Sequence, residues 1–211
     1  MATRPSIRKP RLRWADDTPV DSDDARGRIT AAAVQCVEQF GPAKTTMDDV
    51  ARMAAITRPT IYKYFPSRNE LLIAAFLRVL DGELDQGLID FFSVATDADS
   101  LREAVAESVA YGLRVMRESD VLQAILHDSR IPIEDLLTGA ADLLVGVMQR
   151  ALVTMMGEAI DPGLVDAVRP FVAEDAAHWI IRILYAFLVW PAPDRELDYF
   201  RHYLAPAFIR D

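Results

Sequence analysis

Cysteine occurs once in the 211 residues, at Cys36, so the chain cannot form an internal disulfide or offer a thiol pair to zinc. A reducing cytoplasm is the compartment that fits this scarcity. The three histidines, His127, His178 and His202, are scattered, and none belongs to a His-Glu-x-x-His metal motif. The glycines never gather into a phosphate-cradling loop. No catalytic residue, metal, cofactor or enzymatic activity is therefore expected. Long apolar runs are missing as well. The densest, Trp179 to Trp190, is 12 residues long and interrupted by Arg182, well short of the ~20 residues that span a bilayer. No membrane partner is expected. The first stretch, Met1 to Trp14, has basic residues but no apolar run behind them, which argues against a secretory leader.

What is present is a soluble composition with a lopsided charge. The net charge of −9 argues, as a whole-chain average, against binding a polyanion. Its distribution says otherwise. Residues 1–72 hold 12 Lys and Arg against 9 Asp and Glu, whereas residues 73–211 hold 11 against 23. A basic head on an acidic body is expected where one end meets phosphate and the other does not.

The chain divides into three parts: a tail over residues 1–22, a head over 23–72 and a body over 73–211. In the tail, Arg4, Arg8, Lys9, Arg11 and Arg13 are interleaved with Pro5 and Pro10, which disfavours a packed helix. It reads either as a solvated terminus or as an arm reaching into a DNA groove. From about Asp24, apolar residues recur at spacings of three and four through Ile29, Ala32, Ala33, Cys36, Val37 and Phe40, and Gly41-Pro42 stops that helix. Cys36 sits on this stripe as a small core residue. Thr46, with Asp49 three residues on, resembles a capping box and opens a second short helix with Met47, Val50, Ala51 and Ala54 on its inner face. A turn at Ala55-Ile56 leads to a second hydroxyl cap, Thr57, with Pro59 in the first turn of a third helix. Pro66 breaks that helix, and Ser67 with Glu70 caps a fourth.

Beyond the head the pattern stays helical, with helices expected near 67–93, 99–118, 120–128, 132–157, 162–190 and 194–209, the 162–190 stretch kinking or restarting at Pro170. The expected fold is all-α.

A short helix, a tight turn and a second short helix rich in polar and basic residues make a DNA-reading unit. The first helix braces the second, whose N-terminal residues enter the major groove. Arg58 can fork onto guanine O6/N7 or onto phosphate, and the threonines can meet bases or a thymine methyl. The run from Thr45-Thr46-Met47-Asp48-Asp49-Val50-Ala51 through Thr57-Arg58-Pro59-Thr60-Ile61-Tyr62-Lys63-Tyr64-Phe65 to Pro66-Ser67-Arg68-Asn69-Glu70-Leu71-Leu72 resembles the N-terminal domain of the TetR family of transcriptional regulators. The resemblance covers residues 26–76. It implies phosphate contacts from Thr45, Thr46 and Tyr62. Thr57, Arg58, Thr60 and Lys63 would face the groove, and Arg68 would stand where the family usually has lysine. Ala55 occupies a turn position where the family usually has glycine. If the turn needs φ > 0, alanine costs on the order of 1 kcal/mol there.

The same resemblance implies that the body binds a small effector and dimerises through its last two helices, and that the protein is a repressor on a palindromic, double-stranded operator. The residues lend support. Trp179 to Trp190 is apolar almost all the way round and must be covered on every side. Ile180, Ile183, Leu184 and Phe187, with Leu197, Phe200 and Leu204 of the final helix, are expected at a homodimer interface, with burial inside the chain as the alternative. Phe91, Phe92, Tyr111, Met116, His127, Met148, Met155 and Trp179 are candidate lining for a mainly apolar effector pocket, each otherwise plain core. Acidic pairs such as Glu134-Asp135 and Glu174-Asp175 read as solvated helix faces. The competing class is an all-α small-molecule-binding protein whose helix-turn-helix plays no part in regulation; it would explain the body but not the head.

Overall fold

The computed structural model describes residues 19, 21–157, 167–169, 173–192 and 194–210. The basic residues of the tail, Arg4 to Arg13, lie outside the described residues. The fold is all-α, and the described residues fall into two compact units divided between Ala75 and Phe76, three residues beyond the boundary expected from the sequence.

In the first unit, α1 runs Ser22–Phe40. It starts where the Asp21 side chain accepts hydrogen bonds from the N–H groups of Asp23 and Asp24, both at 2.9 Å. It stops at Gly41, whose φ of 74° returns its N–H to the Val37 carbonyl. Ala25, Ile29, Ala33 and Cys36 form its buried stripe. Burial is the main reason the Cys36 thiol is pushed up from its ordinary value, with the nearby Asp49 carboxylate adding to it. A short 3₁₀ turn, Pro42–Lys44, leads to α2, Met47–Met53, and α3, Arg58–Tyr64. The three helices pack on one another around Ile29, Val50, Ile56, Ile61 and Phe65. Helix α4, Arg68–Ser93, begins in this unit and continues into the second.

The second unit holds α5 (Ala98–Glu118), α6 (Asp120–Leu126), α7 (Ile133–Gly157) and α8 (Ala173–Val189). Asp97 and Ser100 cap α5 reciprocally, and the Ser100 hydroxyl holds the Asp97 carboxyl below the usual carboxylate range. Helix α7 packs along α8, and α5 packs against α8 and the C-terminal segment. Here the structure departs twice from the sequence reading. Residues 167–169 do not continue a helix to Pro170. Val168 forms an antiparallel bridge with Ile209, closed by Arg169 N–H to Phe208 O at 2.6 Å and Arg210 N–H to Ala167 O at 2.7 Å. A residue that precedes proline is pushed out of the α region, and Arg169 precedes Pro170. The final helix is not uniform either. It runs as α9 (Glu196–Tyr199), a π-helical turn (Phe200–Leu204) and α10 (Ala205–Phe208). Pro206 supplies no N–H and its ring crowds the carbonyl four residues back, so the ladder widens and Ala205 N–H reaches Phe200 O instead.

Ion pairs tie the C-terminal segment to α5. Arg117 meets Glu196 through two hydrogen bonds of 2.6 Å and also reaches the Phe187 carbonyl at 2.8 Å. Arg117 and the Ala192 N–H hold the buried Glu196 carboxyl below the usual carboxylate range. Arg201 binds Glu103 through both carboxylate oxygens, with similar effect. Among the described residues no helix is long and apolar enough to cross a membrane.

Candidate functional site

The turn between α2 and α3 sets the site. Ile56 N–H bonds to Ala51 O at 2.9 Å and Ala55 N–H to Arg52 O at 3.1 Å. This doubly closed C-terminal cap requires a left-handed residue between them. That residue is Ala55, at φ 54°. Buried Ile56 then pins the turn to the core. Next, the Thr57 side chain accepts from Thr60 N–H and launches α3, with the two hydroxyls 2.8 Å apart. Upstream, Thr46 and Asp49 complete the capping box of α2, and the Thr46 hydroxyl holds the Asp49 carboxyl below the usual carboxylate range.

Helix α3 therefore leaves a braced turn with Ile61 facing inward and Arg58, Tyr62 and Lys63 exposed. Arg58 donates to Asp48 of α2 at 2.9 Å, and its guanidinium lies 5.6 Å from the Tyr62 ring centre. The Lys63 ammonium lies 5.3 Å from the Tyr64 ring. Thr57 and Thr60 are half-buried, their hydroxyls paired with each other. Thr46 stays exposed at the start of α2.

Two residues sit differently from expectation. Thr45 is 1% exposed and donates its hydroxyl to Gly41 O at 2.9 Å, so its side chain does not reach a phosphate. Arg68 turns inward as a strut, its guanidinium donating to the carbonyls of Thr45 and Pro42. In both cases backbone carbonyls around the 3₁₀ turn claim the donor. The sequence reading also missed two residues. Arg26 donates to the Tyr64 carbonyl and lies 4.3 Å from the Phe65 ring centre, closing the far end of α3. Asp48 holds Arg58. Neither contact carries a local signal, since the partners are 38 and 10 residues apart.

The second unit encloses a cavity of about 200 Å³. Leucine, valine, isoleucine, methionine and phenylalanine dominate its wall, and Ser108 and Gln149 are its polar lining residues. Ser108 is buried with its hydroxyl donated to Val105 O at 2.8 Å, while Gln149 is exposed. Of the candidate lining residues, Phe92, Met116 and Met148 are on the wall. The Phe91 and Tyr111 rings pack at a tilt of 57° with centres 5.7 Å apart, and the Tyr111 hydroxyl donates to Glu83 O. His127 is exposed, bonded through its ring to Gln123 O. Trp179 is an exposed residue of α8 packed on Phe208. The Met155 side chain lies outside the described residues.

The expected dimer residues are also redistributed. Ile180 and Leu184 line the cavity, and Phe200 and Leu204 are fully buried within the chain. Ile183, Phe187 and Leu197 are half-buried. Among the described residues of α8 and the C-terminal segment, Trp179, Val189, Trp190, Tyr199 and Tyr203 stay exposed, with Trp190 78% and Tyr203 69% exposed. A helix apolar all round gives no clue from sequence to which side faces its own core.

A braced pair of short helices, the second presenting arginine, tyrosine and lysine to solvent, defines a helix-turn-helix DNA-binding protein. Comparison with known proteins narrows the class. Residues 29–75 match the family described as bacterial regulatory proteins, tetR family. An uncharacterized HTH-type transcriptional regulator of Mycobacterium tuberculosis is 26% identical over 170 residues, which is 81% of this chain and 77% of the relative. The fold is shared with the TetR family repressor AlkX from Dietzia sp. strain DQ12-45-1b, implicated in biodegradation of n-alkanes. That match has a TM-score of 0.57 at 21% identity and covers 88% of this chain and 98% of AlkX. RolR in complex with its ligand resorcinol matches with a TM-score of 0.59 at 16% identity, over 89% of this chain and 88% of RolR. Residues 29–75 thus form a helix-turn-helix head of the tetR-family type, in a chain similar over most of its length to HTH-type transcriptional regulators.

Proposed function

We propose that the protein is a repressor that binds a palindromic operator as a homodimer and is released by a small, neutral, mainly apolar effector. The observation that carries the DNA half is α3, whose exposed face offers Arg58, Tyr62 and Lys63 from a rigid turn. Arg58 and Lys63 enter the major groove. Tyr62 and Thr46 meet phosphate. Thr57 and Thr60 stand at the groove-facing start of the helix. Arg68 supports the frame through carbonyls, and Thr45 contributes through packing. Two copies of α3 then address the two half-sites of the operator.

The effector half rests on the cavity. Among the described residues its wall carries no ionisable group, and an unpaired charge buried there would cost several kcal/mol. Its volume exceeds the roughly 150 Å³ of an apolar cavity that takes up benzene. AlkX, with its link to n-alkane degradation, and RolR, with resorcinol, favour a ligand of this size and character. Effector binding acts by preferring a state with weaker operator affinity, and it can shift the balance only by its affinity difference between the two states. For the dimer, the exposed Val189, Trp190, Tyr199 and Tyr203 supply the uncovered apolar surface, with half-buried Ile183, Phe187 and Leu197 behind it.

The test is fluorescence anisotropy on labelled duplexes from the promoter regions flanking the gene. One duplex should bind in the nanomolar range with a steep salt dependence, and toluene or a medium-chain alkane should weaken that binding. Equal, weak binding to every duplex would overturn the regulator reading.

A further inference from the structure

The Asp48–Arg58 pair joins the two helices of the reading unit at their solvent face, and nothing in the packing of the head requires it. Asp48 and Arg58 are half to two-thirds exposed, at 51% and 62% of their side chains, so the pair contributes little to stability. Its geometry has a different use. Asp48 Oδ2 accepts one N–H from Arg58 Nη1 at 2.9 Å. The guanidinium then lies 5.6 Å from the Tyr62 ring centre, with Nη2 3.5 Å from the Tyr62 hydroxyl. The arginine is thus held between a carboxylate from α2 and an aromatic ring one turn along α3. A guanidinium has five N–H donors, so the donor given to Asp48 leaves enough for a two-pronged contact with guanine.

We propose that Asp48 is a positioning residue for sequence selection: it buttresses Arg58 for guanine and withholds it from phosphate. The inference rests on the DNA-reading role given to Arg58 above. Two physical effects act together. Holding the long side chain in one arrangement before binding removes part of the ordering cost of a base contact. A carboxylate beside the guanidinium also offsets its charge and repels the phosphate backbone, so the paired Arg58 gains less from a phosphate than a free arginine would. A guanine edge presents two acceptors and no formal charge, and the pair can persist there. Asp48 therefore penalises sequence-independent binding and spares the specific complex.

The experiment compares the full chain with Asp48→Ala, Asp48→Asn, Arg58→Ala and the Asp48→Ala/Arg58→Ala double variant. Each is titrated by anisotropy on two probes: a duplex enriched from a random library by the wild-type protein, and a random-sequence duplex of equal length. Asp48→Ala and Asp48→Asn should bind the random duplex about 3- to 10-fold more tightly. They should lose a similar factor on the enriched duplex, so that selectivity falls by at least about tenfold. The salt slope on the random duplex should steepen by about one, as Arg58 becomes available to phosphate. In the Arg58→Ala background the loss on the enriched duplex from removing Asp48 should vanish. A thermal midpoint shared with the wild type would separate positioning from folding. Equal tightening on both probes would show a general charge effect and overturn the proposal, as would unchanged selectivity. If the wild type enriches no sequence at all, the regulator reading itself fails, and the two failures are thereby distinct.

Discussion

Ala55 carries the most consequential single-residue conformation in the head. Its φ of 54° places a Cβ where the left-handed region costs an L-residue about 1–2 kcal/mol. The two closing hydrogen bonds and buried Ile56 hold it there, and with it the start of α3. Ala55→Gly should relieve that strain while making the unfolded chain freer by about 0.4–1 kcal/mol. The net expectation is a head more stable by about 0.5–1 kcal/mol. Cys36 provides the readout, because its thiol is buried among the head's helices and is pushed up by that burial. Labelling by a thiol reagent should slow about 2- to 5-fold in the glycine variant, and an unchanged or faster rate would count against strain at Ala55. This position was legible through the resemblance, since Ala55 stands where the family usually has glycine. The reversal of Thr45 and Arg68 was not. A threonine or arginine beside a DNA-facing helix looks the same whether its donors point outward or serve carbonyls of its own backbone.

At the scale of elements, legibility followed the range of the interactions. Caps, apolar spacing and proline breaks are local, and they marked α1 to α7 to within two or three residues. The C-terminal third depends on pairing between distant segments. The Val168–Ile209 bridge and the Arg117–Glu196 pair join residues 41 and 79 apart in the chain, and no local pattern announces them. Glu196 shows what such a contact is worth. Its carboxylate is held by Arg117 and the Ala192 N–H, so its folded pKa lies below its unfolded one. A depressed pKa of this kind stabilises above the ordinary carboxylate range and ceases to do so as pH falls through and below it. Glu196→Gln should therefore cost the body about 2–3 kcal/mol at neutral pH. The gap from wild type should narrow as pH drops below roughly 4. Urea unfolding followed by the fluorescence of Trp179 and Trp190 measures both. A pH-independent gap would mean the ionised pair is not what the substitution removes.

For the whole molecule, the charge asymmetry and the exposed aromatic surface each make a claim. The acidic residues concentrate beyond position 72 while the cationic ones are denser before it, an asymmetry that fits the proposed division between a DNA-binding head and a sensing body within a net charge of −9. Part of that positive charge is in the tail, whose Arg4, Arg8, Lys9, Arg11 and Arg13 carry no acidic neighbour before Asp16. Removing residues 1–20 should weaken operator binding and flatten its salt slope; an unchanged slope would leave the tail without a DNA role. Trp190 and Tyr203 are 78% and 69% exposed, and the proposed homodimer would cover them. Trp190→Glu with Tyr203→Glu should shift sedimentation from dimer to monomer at micromolar concentration. A persistent dimer would place the interface elsewhere. The apolar face was visible in the sequence, but the side of it that covers the cavity and the side left outside were separated only by the fold.

The central claim is that α3 reads base sequence through Arg58, and one affinity measurement addresses it most directly. On a duplex enriched by the wild-type protein, Arg58→Ala should weaken binding by about 1–3 kcal/mol, roughly 5- to 150-fold, and should relax the preference for guanine at one position in each half-site. Wild-type affinity and an unaltered base preference in that variant would contradict the account.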